Sequence, residues 1–159
     1  STPKPTGLLP LPVQLTAKQL HVLVVDDSDL NRRMMRRSVQ RVLANIDSEG
    51  FEVEFDDADD GLSAIELVRH SLAPNKDKEI ATVKDKGYDV IFMDNIMLKM
   101  NGPEAAKCIR EMGYQGRIIG VTGNTLPRDI EEFINFGAND VLTKPVDMEY
   151  LRLVLLGLV

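Results

Sequence analysis

Short apolar runs alternate with amphipathic stretches along most of this chain. Runs rich in β-branched and other apolar residues are predicted strands, at 21–25, 51–55, 89–93, 117–121 and 140–143. The stretches that follow them have helical spacing, at 29–46, 61–72, 103–112, 127–136 and 148–156. Five strand–helix units in succession predict an α/β fold with a parallel sheet covered on both faces. The length favours a doubly wound sandwich over a closed barrel.

Residues 1–19 contain four prolines and are predicted to form a linker or extended arm, which leaves residues 20–159 as one domain. The 43% hydrophobic content suits a single compact core. A net charge of −6 argues against a nucleic-acid partner, and no apolar run approaches the ~18 residues of a membrane span. The single cysteine, Cys108, fits a reducing compartment, so we expect a domain on the cytoplasmic side without membrane contact.

Acidic residues end two of the predicted strands. Asp26 and Asp27 follow the first strand, and Asp94 follows the third. If the strand order is 2-1-3-4-5, these strands are neighbours and the three carboxylates converge at the carboxyl edge of the sheet. Such a cluster needs a cation, and hard oxygen ligands without histidine or cysteine suit Mg²⁺, with Mn²⁺ as an alternative. The plainer interpretation of the Asp-Asp pair is a cap for the next helix.

Two further polar side chains are predicted at the same edge of the sheet. Thr122 ends the fourth strand, and Lys144 follows the fifth. A hydroxyl and an ammonium there would supply the donors that a phosphoryl group on Asp94 requires. Pro145 after the lysine suggests a cis peptide bond.

Four motifs together resemble the receiver domain of two-component response regulators, over residues from about 20 to 157: VVDDS at 24–28, FMDNIMLKMNG at 92–102, GVTGN at 120–124 and GANDVLTKPVD at 137–147. The resemblance implies a flavodoxin-like receiver fold, and the strand order 2-1-3-4-5 is taken from that family. It also implies site roles. Asp94 would be the phosphoacceptor, Asp26 and Asp27 would bind Mg²⁺ together with Asp94 and the backbone carbonyl of Ile96, Thr122 would be the switch hydroxyl, and Lys144 would sense the phosphate.

The chain departs from the family pattern at several positions. Leu98 stands where the family usually has proline, and Val141 stands where it often has an aromatic residue. The segment 73–87 is longer than usual and has mixed charge. It is either an insertion or an extension of the second helix.

The first helix combines an apolar stripe with a dense row of arginines. Leu30, Met34, Val42 and Ile46 are predicted to face inward. The basic residues are either a solvated face or a docking surface: Arg32, Arg33, Arg36, Arg37 and Arg41. By the resemblance, a histidine-containing phosphotransfer protein or a histidine kinase would dock near this helix, at Arg33 and Arg37.

The expected function is therefore transfer of a phosphoryl group from a phosphohistidine to Asp94, followed by slow hydrolysis. The alternative is a receiver-like binding module that is never phosphorylated. A haloacid-dehalogenase-type phosphatase would need an acid at Ile96, and a dinucleotide-binding domain would need glycines after the first strand. The prolines near the start and the initial Ser1 favour the receiver part of a hybrid histidine kinase over a stand-alone regulator.

Overall fold

The computed structural model describes residues 18–47, 50–73 and 87–158 of the chain. Strands and helices alternate without exception in this part: β1 (Lys18–Val25), α1 (Asp29–Ile46), β2 (Phe51–Ala58), α2 (Gly61–Leu72), β3 (Val90–Asp94), α3 (Gly102–Glu111), β4 (Arg117–Thr122), α4 (Pro127–Asn135), β5 (Asp140–Thr143) and α5 (Met148–Leu156). The strands form one parallel sheet in the order β2-β1-β3-β4-β5, which confirms the predicted doubly wound α/β fold.

Alternate residues of the central strands supply two separate cores. Leu23, Val25, Ile91 and Met93 face the side covered by α2, α3 and α4. Their neighbours Val22, Val24, Val90 and Phe92 face the side covered by α1 and α5. Both faces of β1 and β3 are therefore buried, which explains why these strands have continuous apolar runs.

The ends of several elements differ from the prediction. β1 begins at Lys18, so Lys18 and Gln19 belong to the sheet rather than to the proposed arm. β2 extends to Ala58 because its last residues continue the pairing with β1 up to Val25. The rest of the proposed arm lies outside the described residues.

The second helix ends at Leu72. The next residue, Ala73, has extended backbone angles, with φ −68° and ψ 133°, so α2 does not continue through it. Residues 74–86 of the proposed insertion lie outside the described residues. Helices capable of crossing a lipid bilayer are absent from the part of the chain that the structure describes.

The predicted inward stripe of α1 is partly wrong. Leu30 and Met34 are 65% and 57% exposed, whereas Met35 and Val39 are buried. Val42 is buried as predicted, and Ile46 packs against the same core. The helix is rotated so that residues 35, 39, 42 and 46 face the sheet, which leaves Leu30 and Met34 beside the carboxyl edge of the strands.

Candidate functional site

The three predicted acids meet at the carboxyl edge of the sheet. β1 and β3 are adjacent, and β3 ends at Asp94 while Asp26 and Asp27 follow β1. One carboxylate oxygen of each residue lies within 4.8 Å of the other two. Asp26 and Asp94 are buried and Asp27 is exposed, so the cluster opens to solvent on the side of Asp27.

The carboxylate of Asp26 is fixed by its own loop. Its Oδ1 accepts hydrogen bonds from the backbone N–H of Ser28 at 2.9 Å and from Nδ2 of Asn31 at 3.4 Å. The N-cap of α1 is Ser28, whose hydroxyl accepts from the backbone N–H of Asn31. Neither acid of the Asp-Asp pair therefore caps α1, and the plainer interpretation of the pair is wrong.

Lys144 joins the cluster from the loop after β5. Its Nζ donates to Asp94 Oδ1 at 2.8 Å and to Asp26 Oδ2 at 3.4 Å. The Lys144–Pro145 peptide bond is cis, as the sequence suggested. The backbone N–H of Lys144 also donates to the Thr122 carbonyl at 2.8 Å, which ties this loop to the end of β4.

The pKa values of Asp94 and Lys144 reflect this packing. Burial raises the pKa of Asp94 and the Asp26 charge adds to the effect, while the hydrogen bond from Lys144 opposes it. Burial lowers the pKa of Lys144, but Asp94 and Asp26 together outweigh burial and raise it above the ordinary value. An ammonium and two carboxylates thus share one small, partly desolvated space.

Thr122 is the buried last residue of β4. Its Oγ1 accepts from the backbone N–H of Asn124 at 3.0 Å and from Nδ2 of Asn95 at 3.4 Å. A hydroxyl has two acceptor positions and one proton. Because both acceptor positions of Thr122 are used, its O–H proton is the group left to donate to a ligand.

A crevice of about 410 Å³ opens over Asp94, Thr122 and Lys144, and Ile96 forms part of its wall. This space is large enough for a phosphoryl group with its waters. Ile96 and Leu98, on the loop after β3, are 76% and 90% exposed. Val141, which replaces the frequent aromatic residue, is instead buried in the core with Phe133.

The donor set fits a hard divalent cation. It consists of carboxylate oxygens without histidine or cysteine. One of the three acids is exposed to solvent, which suits Mg²⁺ because this ion usually keeps several bound waters. Mg²⁺ is the best match by this chemistry, and Mn²⁺ accepts similar ligands.

Sequence reasoning missed two contacts in the site. The Asn95 carboxamide reaches the Thr122 hydroxyl, and Nη1 of Arg32 donates to the backbone carbonyl of Asp26 at 2.6 Å. Arg32 is therefore not a simple member of a solvated basic face. Its position six residues after Asp26, within the first turn of the helix, is the signal that could have indicated the contact.

The chain is similar in sequence and in fold to known proteins. A family model described as the response regulator receiver domain matches residues 22–155. A two-component response regulator of Oryza sativa subsp. japonica is 33% identical over 141 residues, which are 89% of this chain and 95% of that protein. Two-component system protein A of Emericella nidulans is 32% identical over 139 residues, which are 87% of this chain but only 17% of that protein. Among solved structures, chemotaxis protein CheY4 of Vibrio cholerae has a TM-score of 0.63 and 28% identity, with 89% of this chain and 99% of that chain covered.

Proposed function

Because the chain belongs to the response regulator receiver domain family, whose members accept phosphoryl groups in two-component signalling, we propose that Asp94 is the residue that is phosphorylated. The observation that carries this proposal is the Lys144 ammonium, which bridges Asp94 and Asp26 within a cluster of three carboxylates. Asp94 is the member of the cluster that lines the crevice, and the Lys144 ammonium lies 2.8 Å from its Oδ1.

In the proposed reaction, an Asp94 carboxylate oxygen attacks the phosphorus of a phosphohistidine. The new O–P bond forms as the N–P bond breaks, and the electron pair of the broken bond returns to the imidazole nitrogen. Lys144 neutralises charge on the phosphoryl oxygens, and the Thr122 hydroxyl donates a hydrogen bond to one of them. Slow hydrolysis of the acyl phosphate would then restore Asp94.

Asp26, Asp27 and Asp94, with the backbone carbonyl of Ile96, are the proposed ligands of Mg²⁺ or Mn²⁺. When bound, the ion supplies positive charge that relieves the repulsion among the acids and between Asp94 and the incoming phosphoryl group. Among these residues Asp27 is the exposed member of the cluster, and its carboxylate has no hydrogen-bond or ion-pair partner within the described part of the chain.

Labelling of the protein with radioactive acetyl phosphate in the presence of Mg²⁺ tests this proposal. The wild type should acquire an alkali-labile phosphoryl group, and Asp94→Asn should acquire none. Asp59→Asn is the matched control, because Asp59 is an exposed aspartate just after β2 and outside the cluster. Equal labelling of the wild type and Asp94→Asn would contradict the assignment.

The alternative, a binding module that is never phosphorylated, has no observation in its favour. Beryllofluoride with Mg²⁺ distinguishes the two by NMR, since it mimics a phosphoryl group on a carboxylate. Shifts of the Asp94, Thr122 and Lys144 signals support phosphorylation. An unchanged spectrum, together with failed labelling of the wild type, would support the binding module.

We also propose that the phosphate donor docks beside the site, on α1. Receiver domains receive phosphate from histidine kinases or phosphotransfer proteins. Arg33 and Arg37 lie on the exposed side of α1, and the exposed apolar residues Leu30 and Met34 lie next to them. Apolar side chains with adjacent basic groups suit a partner surface that is apolar with an acidic rim.

Charge reversal at Arg33 and Arg37 tests the docking proposal. The double variant Arg33→Glu/Arg37→Glu should slow transfer from a phosphorylated partner by roughly 10-fold or more, since rim charges act mainly on the association rate. Labelling by acetyl phosphate should stay unchanged. Arg128→Glu, on the exposed surface of α4 across the sheet, is the control. Equal losses with both donors would contradict docking at α1.

The proposed setting is a hybrid histidine kinase. Matching relatives include a response regulator almost completely covered by this chain and, at 12% coverage of its length, a probable histidine kinase of Oryza sativa subsp. indica. Both arrangements occur among relatives, so the hybrid kinase stays a prediction, as do the cytoplasmic location and the lack of a nucleic-acid partner.

A further inference from the structure

Arg32 contacts the backbone of the candidate cation site. From the first turn of α1 its guanidinium reaches back to the loop after β1, where Nη1 donates to the backbone carbonyl of Asp26 at 2.6 Å. Nη2 contacts Asp29 at 3.4 Å. The side chain is only 14% exposed, although it is one of five arginines on this helix. A charged donor on a neutral carbonyl in such a setting is a strong, oriented hydrogen bond.

An aspartate of β2 forms an ion pair with this guanidinium. Asp57 Oδ2 lies 3.4 Å from Nε of Arg32 and 2.7 Å from Nη1 of Arg36. The next residue of the strand, Ala58, accepts a hydrogen bond from the backbone N–H of Asp26 at 3.1 Å. Asp26 is therefore held on its N–H side by the sheet and on its carbonyl side by Arg32.

The carbonyl of Asp26 is part of the peptide unit that joins Asp26 to Asp27. The orientation of this planar unit determines where the chain leaves Asp26, and hence where the Asp27 carboxylate starts. The Asp26 carboxylate has its own contacts to Ser28, Asn31 and Lys144. The Asp27 carboxylate has no hydrogen bond or ion pair to any residue that the structure describes, so its position depends on this peptide.

We propose that Arg32 is a positioning residue for the cation site: by fixing the Asp26–Asp27 peptide, it keeps the Asp27 carboxylate directed at the ion that Asp94 would also bind. This inference rests on the proposed function only in taking the three acids as the Mg²⁺ site. In this proposal Arg32 would contact neither the ion nor the phosphoryl group, and it acts only through the backbone of Asp26.

The direction in which the Mg²⁺ affinity changes when Arg32 is replaced distinguishes a positioning role from a purely electrostatic effect. A positive charge close to the cluster repels a cation, so its removal alone would strengthen Mg²⁺ binding. Loss of a contact that orients ligands weakens binding, typically about 10-fold or more. The two roles of Arg32 therefore predict opposite changes in Mg²⁺ affinity.

Calorimetric titration of the full chain with Mg²⁺ at fixed ionic strength measures this change. We expect Arg32→Met to bind Mg²⁺ roughly 10-fold more weakly than the wild type. The control is Arg41→Met, an exposed arginine of the same helix without a hydrogen-bond or ion-pair partner among the described residues, and its affinity should equal that of the wild type. Unchanged or tighter binding by Arg32→Met would overturn the proposal.

Two additional measurements keep the test independent of folding and of the proposed function. Arg32→Lys preserves the charge and most of the aliphatic chain but lacks the planar fork, so it should also weaken Mg²⁺ binding even if Arg32→Met unfolds. In metal-free protein, the NMR amide signals of Asp27 and Ser28 should move in Arg32→Lys and stay in place in Arg41→Met. If the wild type itself binds no Mg²⁺, the proposed function fails, whereas normal binding by wild type and Arg32→Lys alike refutes only the role of Arg32.

Discussion

Lys144 occupies carboxylate oxygens that a divalent cation would also use. Its Nζ contacts Asp94 at 2.8 Å and Asp26 at 3.4 Å, and its side chain is 33% exposed. A partly exposed ion pair contributes up to about 1 kcal/mol, so we expect Lys144→Met to bind Mg²⁺ about 2- to 5-fold more tightly. Calorimetry measures the affinity. The same variant should accept phosphate more slowly, because the charge that stabilises the transferred group is lost.

The matched control for this prediction is Lys99→Met. Lys99 also pairs with an aspartate, Asp60, at 3.5 Å, but that pair lies outside the acidic cluster. Its removal should leave the Mg²⁺ affinity unchanged. Weaker Mg²⁺ binding in Lys144→Met would mean that the lysine holds the acids in place rather than competing with the ion.

Gly102 is needed where the loop after the acceptor returns to the sheet. A Cβ atom at this position would lie 2.1 Å from the Asp94 backbone oxygen and 2.6 Å from the Phe133 ring. We expect Gly102→Ala to lower the free energy of unfolding by about 1–3 kcal/mol or more, because backbone next to the site must shift. Urea unfolding measures this change. Gly123→Ala is the control, since nothing lies within 4 Å of its Cβ position, and it should stay within about 0.5 kcal/mol of the wild type.

At the residue scale, strand ends made the site largely predictable. Asp94 and Thr122 are the last residues of β3 and β4, and adjacent parallel strands bring such residues together whatever the details of packing. The contact between Arg32 and Asp26 was not predictable in the same way. It depends on the rotation of α1 about its axis and on an anchor, Asp57, that lies on a different strand.

Among the elements, α1 shows what periodicity leaves undecided. Leu30, Met34 and Met35 are all apolar, and two different stripes along the helix fit the sequence. The sheet selects the stripe of Met35 and Val39, while Met34 lines an apolar recess beside Asp94. The order of strands and helices was predictable because every β-branched run is followed by an amphipathic stretch. The ends of the strands were less predictable. The acidic end of β2 has the composition of a loop, and only its pairing with β1 shows that it belongs to the strand.

Two adjacent methionines provide a test of this rotation. Met35 is 7% exposed within the core beneath α1, and Met34 is 57% exposed. We expect Met35→Ala to lower the free energy of unfolding by about 2–5 kcal/mol, the usual range for a buried methionine. Met34→Ala should change it by less than about 0.5 kcal/mol. Comparable losses in both variants, measured by urea unfolding, would contradict the observed face of the helix.

On the scale of the whole molecule, buried polar groups also connect the strands away from the candidate site. The Tyr88 hydroxyl donates to Asp56 on β2 at 2.8 Å, and Nε2 of the buried His21 on β1 lies 2.9 Å from the same carboxylate oxygen. The Tyr114 hydroxyl donates to the Tyr88 carbonyl at 2.8 Å, which connects the segment before β4 to the segment before β3. These contacts join segments that are far apart in the chain, so their loss should affect global stability.

The tyrosines of this network should make the folded protein less stable at alkaline pH. Burial raises the pKa of Tyr88 and the hydrogen bond to Asp56 raises it further; burial also raises the pKa of Tyr114. In the unfolded chain a tyrosine has a pKa of about 10. Because the folded pKa is higher, the stabilisation from neutral Tyr88 is complete below about pH 10 and is lost progressively as the pH rises above that value.

Tyr88→Phe isolates this contribution, since the other ionisable groups are the same in both proteins. Near neutral pH the variant should be less stable by about 1 kcal/mol, the usual net value of one hydrogen bond. Above about pH 10 Tyr88 ionises in the unfolded wild type but stays neutral in the folded protein, which favours the unfolded chain. Phenylalanine has no such ionisation, so the difference in urea midpoint should shrink. A difference that stays constant from about pH 8 to about pH 11 would show that Tyr88 ionises as readily in the folded protein as in the unfolded chain.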